Sequence, residues 1–183
     1  MDKRIERTRE TVMTATIDLL GERGYAAFNI EAVAATSGVA KSTIYRHWPT
    51  KLALISEALE SLNVQPAPPE LSGSHHEQVC SLLGHLAEML AESRFSACIP
   101  ALIEAAEHHA EVSDFLHAYS ARRRNSLVDL IQQGIAAGEF PARCDAEAAS
   151  LALSGALFYC RVMTPEPFPR ERIAALVKTV LGD

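Results

Sequence analysis

Residues 29–48, NIEAVAATSGVAKSTIYRHW, constrain the fold of this chain more than any other stretch. The pattern predicts two short helices joined by a tight turn. Asn29 can cap the first helix, because its side-chain oxygen can accept a backbone N–H of the first turn. Gly38 can end that helix, since glycine enters the left-handed conformation without a Cβ penalty. A second helix is then expected from about Lys41 to Trp48, and a proline follows it.

Apolar residues in this segment can hold the two helices together. Ile30 and Val33 share one face of the first helix, while Val39 and Ile44 are placed to point inward from the turn and the second helix. The remaining side chains of the second helix are polar or cationic and are left for an outer surface: Lys41, Ser42, Thr43, Tyr45, Arg46 and His47. This arrangement is typical of a helix-turn-helix, whose second helix lies in the DNA major groove.

Further helices are predicted on both sides of the motif. A long amphipathic helix covers residues 4–23 and is closed by Gly21 and Gly24. Its apolar residues near one face are Ile5, Val12, Ala15 and Leu19. Downstream, Thr50 can cap a fourth helix that starts at Lys51.

The N-terminal segment resembles the tetracycline-repressor (TetR) family of transcription regulators over roughly residues 4–62. The resemblance rests on the spacing of Gly38-Val39, Lys41, Thr43-Ile44-Tyr45, His47-Trp48 and Lys51. Over the rest of the chain only the layout matches, as a series of amphipathic helices of the right length. The resemblance implies a cytoplasmic DNA-binding regulator. It further implies a repressor that binds a palindromic double-stranded operator as a homodimer and is released by a small-molecule effector.

The resemblance also assigns roles to individual residues. The residues that it places against DNA are Lys41, Ser42, Thr43, Tyr45, Arg46, His47 and Lys51. Lys41 and Ser42 open the recognition helix, where side chains reach base edges most directly, whereas His47 and Lys51 match phosphate contacts. Trp48 is interpreted as a core anchor. The charge of Glu31 argues against close phosphate contact.

The net charge of −6 is distributed in a way that permits DNA binding. Residues 1–62 hold eight basic and eight acidic residues, and residues 63–183 hold nine basic and fifteen acidic residues. The excess negative charge therefore belongs to the part that is not expected to approach phosphate.

Residues 65–74, QPAPPELSGS, are rich in helix breakers and separate two predicted domains. Residues 1–64 form the predicted DNA-binding domain, and residues 75–183 form a helical ligand-binding and dimerisation domain. Periodic apolar residues continue beyond the linker without strand alternation. The predicted fold is all-α, with about nine helices.

A helix is predicted over residues 145–163, where Asp145 can cap the first turn. This helix combines many small residues with large apolar ones. Apolar groups all around a helix imply burial on more than one side. This helix and the last one, predicted over residues 170–181, could simply complete the core of one chain. Alternatively, they could pair with their two-fold mates as a four-helix interface, as the family resemblance implies.

The family resemblance also implies a small-molecule pocket among the C-terminal helices. The candidate lining residues are polar or soft groups set among apolar ones: Met89, Phe95, Cys98, Tyr119, Arg123, Phe158, Tyr159 and Met163. Residues of these types are more often ordinary core residues than pocket lining, so that interpretation stays open for each of them.

Other functional classes find little support in the sequence. There is no Gly-rich phosphate loop and no GxSxG nucleophile motif, so we expect no enzyme and no cofactor. The adjacent histidines at 75–76 and 108–109 point about 100° apart on a helix, so we expect no metal site. The four cysteines show no CxxC pairing, and no apolar run is long enough to span a membrane. The alternative function is a helical module that binds a ligand or a protein without regulating DNA.

Overall fold

The computed structural model describes residues 3–62, 72–92 and 94–182. Within these ranges the protein is all-α, with nine α-helices and no strand, as predicted. The helices are α1 (Lys3–Ala27), α2 (Ile30–Ser37), α3 (Lys41–His47), α4 (Lys51–Leu62), α5 (His75–Glu92), α6 (Arg94–His108), α7 (Ala110–Ala136), α8 (Ala146–Met163) and α9 (Ile173–Leu181). Most of the predicted breaker-rich linker lies outside the described residues.

The chain divides into two compact units. The first comprises Met1–Pro66 and Arg94–Leu116, and the second comprises Ala67–Ser93 and His117–Asp183. The first unit therefore contains α6 as well as the four N-terminal helices. The proposed domain boundaries, at residues 64 and 75, stay a prediction.

Helix α1 is the centre of the first unit and packs against α2, α4 and α6. Its buried residues include Val12, Ile17 and Leu20. Gly21 lies inside α1 and does not close it. A Cβ at this position would lie 3.1 Å from the Cβ of Ala97 on α6. The missing side chain thus permits close contact between the two helices.

Gly24 interrupts α1 where the sequence predicts its end, because its φ of +72° and ψ of 171° are not helical, and a short further segment runs on to Ala27. Two other expectations for α1 are wrong: Gly21 does not close the helix, and Ile5 is not buried. Ile5 is 58% exposed, although it shares a helical face with residues that are buried. The earliest buried residue of α1 in the described part of the chain is Val12, so the apolar contacts of α1 begin about two turns after Ile5.

In the second unit, α5, α8 and α9 pack against one another. Asp145 caps α8 as predicted, since its Oδ1 accepts the backbone N–H of Ala148 at 3.1 Å. The N-terminus of α5 is capped from a distant part of the chain. A carboxylate oxygen of Glu139 accepts the backbone N–H of His75 at 2.8 Å, and the other lies 2.7 Å from the His75 ring. These hydrogen bonds lower the pKa of Glu139, and the hydrogen bond with the His75 ring contributes most.

The C-terminal helix is shorter than predicted. Residues Arg170–Arg172 form a 3₁₀ turn, and α9 begins at Ile173. Ile173, Val177 and Leu181 are buried along one face of α9. No helix in the described ranges has the length and apolar character needed to cross a membrane.

Candidate DNA-binding surface

The helix-turn-helix forms where the sequence predicts it. The Oδ1 of Asn29 accepts the backbone N–H of Ala32 at 2.8 Å, which caps α2. Gly38 lies in the left-handed region at φ +70°, and its N–H donates to the carbonyl of Ala34 at 3.0 Å. The chain can then turn within three residues and begin α3 at Lys41. Both predicted ends of α2 are therefore confirmed.

Buried apolar side chains fix α3 against the rest of the first unit. Ile44, in the middle of α3, is completely buried, and Ile30 and Val33 of α2 are buried as well. Trp48 follows α3 and is also buried, in agreement with its predicted role as a core anchor. Since Ile44 occupies the inner side of this short helix, the neighbouring polar side chains are directed outward.

Most of the predicted DNA-contacting residues share the outer surface of α3. Lys41, Ser42, Tyr45, Arg46 and His47 are exposed, and Thr43 is half-buried. We call these six residues of α3 the recognition surface. Cations and hydroxyls of this kind suit phosphate oxygens and the acceptor atoms of base edges.

Lys41 of the recognition surface forms an ion pair that links the two motif helices. The Lys41 ammonium contacts the carboxylate of Glu31, the second residue of α2, and both side chains are about half exposed. The same ammonium lies 5.6 Å from the centroid of the Tyr45 ring, within the range of a cation–π contact. The hydrogen bond between the two side chains lowers the pKa of Glu31 and raises the pKa of Lys41. Both groups are therefore charged at neutral pH.

Lys51 lies at the start of α4 and has internal partners. Thr50 caps α4 as predicted, with its Oγ1 accepting the N–H of Ala53 at 3.1 Å. The Lys51 ammonium donates to the carbonyl of Tyr25 at 3.2 Å and lies 3.8 Å from the centroid of its ring. Tyr25 is buried and contacts the His109 ring, with the ring centroids 5.2 Å apart.

Sequence reasoning did not single out Tyr25. Its only signal was an aromatic residue directly after Gly24, where α1 kinks. Burial, followed by the charge of Glu111, raises the pKa of its hydroxyl. The ring is therefore neutral at physiological pH, and it offers its electron-rich face to the Lys51 ammonium.

The structure distributes the predicted pocket residues among several places. Cys98 lies in the first unit, where it is buried, its thiol donates to the carbonyl of Ile17 at 3.5 Å, and burial raises its pKa to about 11. In the second unit, Tyr119 is buried with the Arg123 guanidinium 5.0 Å from its ring centroid, and Met89 is half-buried. The side chain of Phe95 lies outside the described residues. Pocket lining by these residues stays a prediction.

The other three pocket candidates lie on an exposed face of α8. Tyr159 is 61% exposed and Met163 is 67% exposed, and Phe158 is exposed beside them. They belong to an exposed face of small and apolar residues at helical spacing, which we call the α8 face: Ala148, Leu151, Ala152, Gly155, Phe158, Tyr159, Val162 and Met163. A continuous exposed apolar face of this kind on one chain is typical of a protein interaction site.

Two family profiles match most of the chain. The profile described as "Bacterial regulatory proteins, tetR family" matches residues 12–58, which include the whole helix-turn-helix. The profile described as "Tetracyclin repressor-like, C-terminal domain" matches residues 69–180.

Curated proteins with similar sequences carry the same description. The chain is 28% identical over 162 residues to YdeS of Bacillus subtilis (strain 168), described as an uncharacterized HTH-type transcriptional regulator. That match covers 88% of this chain and 81% of YdeS. It is also 28% identical over 122 residues to the DNA-binding transcriptional repressor TetR of Mycobacteroides abscessus, covering 66% of this chain and 64% of that repressor.

Solved structures share the fold at lower sequence identity. Salmonella enterica GusR superposes with a TM-score of 0.78 at 17% identity, covering 97% of this chain and 96% of GusR. The regulator FadR of Bacillus subtilis, solved in complex with stearoyl-CoA, has a TM-score of 0.77 at 17% identity, covering 95% of this chain and 98% of FadR. With the helix-turn-helix and both family profiles in place, the chain belongs to the TetR family and is a DNA-binding transcriptional regulator.

Proposed function

We propose that this regulator is a repressor that binds a palindromic operator as a homodimer and leaves it when a small-molecule effector binds. The observation that carries the proposal is the pairing of one recognition surface per chain with the exposed α8 face. A single short helix reads only a few base pairs, so high specificity requires a second copy. The role is regulatory rather than enzymatic, and we place the protein in the cytoplasm.

The α8 face has the composition expected of a two-fold interface. In such an interface the same patch of both copies is buried, so its residues must be compatible with themselves. Apolar and aromatic side chains meet this condition, and the small residues Ala152 and Gly155 allow the two helices to approach closely. A dimer of this kind would present two α3 helices to major grooves about 34–36 Å apart.

Release by an effector requires that the effector prefer the form that cannot bind DNA. The complex of B. subtilis FadR with stearoyl-CoA supports the view that this fold can hold a small molecule. For this chain we propose a hydrophobic or aromatic effector bound in the C-terminal ligand-binding domain. A neutral or cationic effector suits the charge of −6 that is carried by residues 63–183.

The proposal is tested on the DNA directly upstream of the coding sequence. We expect sedimentation of the protein–duplex complex to show two protomers on each operator.

By thermodynamic reciprocity, any effector that releases the operator must bind the free protein more tightly than the operator complex. A monomer that binds the duplex with full affinity would contradict the dimer, and equal effector affinity in both states would contradict release. A protein that binds ligands but no duplex would favour the alternative helical binding module.

Lys51 separates phosphate contact from a purely internal role. We expect Lys51→Ala to weaken specific and non-specific DNA binding alike, and to reduce the salt dependence of binding by about one counterion per protomer. The measurement is fluorescence anisotropy of a labelled duplex as a function of salt concentration. Lys178→Ala, which removes one exposed positive charge from α9, is the matched control and should leave the slope unchanged.

Because Lys51 also contacts Tyr25, its replacement could lower the stability of the protein without affecting DNA binding directly. If Lys51→Ala lowered the thermal midpoint of unfolding but left the salt slope unchanged, the ammonium would serve only to hold the end of α1. Lys51→Arg should retain the salt slope under our proposal, since it keeps the positive charge.

A further inference from the structure

The geometry points to Glu31 and Lys41 acting as one unit that reads a G·C base pair in each half of the operator. We infer that the Glu31 carboxylate accepts the exocyclic amine of cytosine while the Lys41 ammonium contacts guanine on the same pair. Glu31 is then a specificity-determining residue of α2. The inference rests on the proposal that the recognition surface enters the major groove, and it adds the base pair that is recognised there.

The position of the pair at the helix ends favours base contact. Lys41 is the first residue of α3, and the N-terminal residues of a recognition helix are those that contact base edges. Glu31 lies on α2, but its carboxylate contacts the Lys41 ammonium and therefore lies at the same end of the recognition surface. The Tyr45 ring flanks the ammonium and limits the directions in which Lys41 can turn.

The charges of Glu31 and Lys41 disfavour contact of this ion pair with phosphates. A Lys41 ammonium that is already paired with Glu31 neutralises a phosphate only if that pair breaks. The Glu31 carboxylate can only accept hydrogen bonds, and phosphates repel it. The donors that DNA offers to a carboxylate in the major groove are the amines of cytosine and adenine.

The hydrogen-bonding groups of the Glu31–Lys41 ion pair match a G·C base pair better than an A·T base pair. The ion pair presents a donor beside an acceptor. A G·C pair presents the guanine acceptors N7 and O6 beside the cytosine N4 amine, so both members of the ion pair find partners. In an A·T pair the adenine amine lies between two acceptors, adenine N7 and thymine O4, which repel a carboxylate.

The ion pair is also suited to exchange its partners. Both side chains are about half exposed, and exposed ion pairs add little to folding stability. Replacing either residue should therefore leave the fold intact, which thermal unfolding of each variant will verify. A change in DNA preference then reports on recognition and not on folding.

The test is selection of binding sites from a random-sequence duplex library with the full-length protein. The variants are Glu31→Gln and Lys41→Gln, and the control is Glu147→Gln, an exposed glutamate of α8 that pairs with Arg124 at 3.3 Å. We expect the wild type to enrich a motif with a G·C pair at one position of each half-site. Glu31→Gln and Lys41→Gln should both weaken the preference at that same position by about tenfold, while the control keeps the wild-type motif.

Two results would overturn this inference and leave the proposed operator binding intact. One is a Glu31→Gln variant that keeps the wild-type preference at every position. The other is a pair of variants that alter different base pairs, since the two side chains would then read DNA independently. A wild type that enriches no motif would instead overturn the proposed operator binding, and the inference with it.

Discussion

Replacing Leu151 by glutamate is expected to convert the proposed homodimer into a monomer and to lower operator affinity by at least about a hundredfold. Leu151 is 55% exposed on the α8 face, so a single chain can accept the charge without losing its fold. In a two-fold interface the substitution enters twice and buries two unpaired carboxylates. Analytical ultracentrifugation measures the loss of the dimer, and fluorescence anisotropy measures the loss of affinity.

The matched control is Ile103→Glu, which introduces the same charge at an apolar residue that is 43% exposed on α6. This variant should remain dimeric and bind the operator like the wild type. If Leu151→Glu also stayed dimeric at micromolar concentration, the α8 face would not be the interface. If it became monomeric but bound the operator with full affinity, DNA recognition would not require the dimer.

Truncating Ile44 to alanine is expected to lower the free energy of unfolding by about 2–5 kcal/mol, the range for a large-to-small change in a core. Ile44 is fully buried and is the inward anchor of the seven-residue helix α3. Such a short helix is not stable by itself, so it depends on this packing for its position. DNA binding should weaken together with stability, because the recognition surface loses its support.

Chemical denaturation followed by the fluorescence of Trp48 measures this effect. Trp48 is the single tryptophan of the chain and is buried directly after α3. Ile44→Val is the conservative control and should reduce the free energy of unfolding by about 0.5–1.5 kcal/mol. Equal losses for valine and alanine would show that Ile44 is not packed as the structure describes.

The features that could be predicted from the sequence are those whose contacts are local. Asn29, Thr50 and Asp145 each accept a backbone N–H only three residues further along the chain. Gly38 likewise acts on its own backbone and on Ala34. Such contacts depend on residue type and spacing. The sequence was therefore sufficient to locate these ends of α2, α4 and α8, and with them the helix-turn-helix.

The inner and outer sides of α3 were also predictable, because an apolar residue between polar ones defines the buried side of a short helix. Ile44 is buried, and five of its neighbours in α3 are exposed. The same reasoning failed for Ile5, which has the right helical spacing but lies before the contacts of α1 begin. Periodicity identifies a helical face but does not show how far along the helix a neighbouring element extends.

By itself, then, the sequence determined the all-α fold, the helix-turn-helix and the polar composition of the recognition surface. Only the tertiary structure decided which partners those side chains have. It paired Lys41 with Glu31 across two helices, placed Lys51 against Tyr25, which is 26 residues away, and packed α6 against α1. It also left the α8 face exposed in a single chain. The physical reason is that capping and helical periodicity act within a few residues, whereas these contacts form only after distant segments of the chain have packed together.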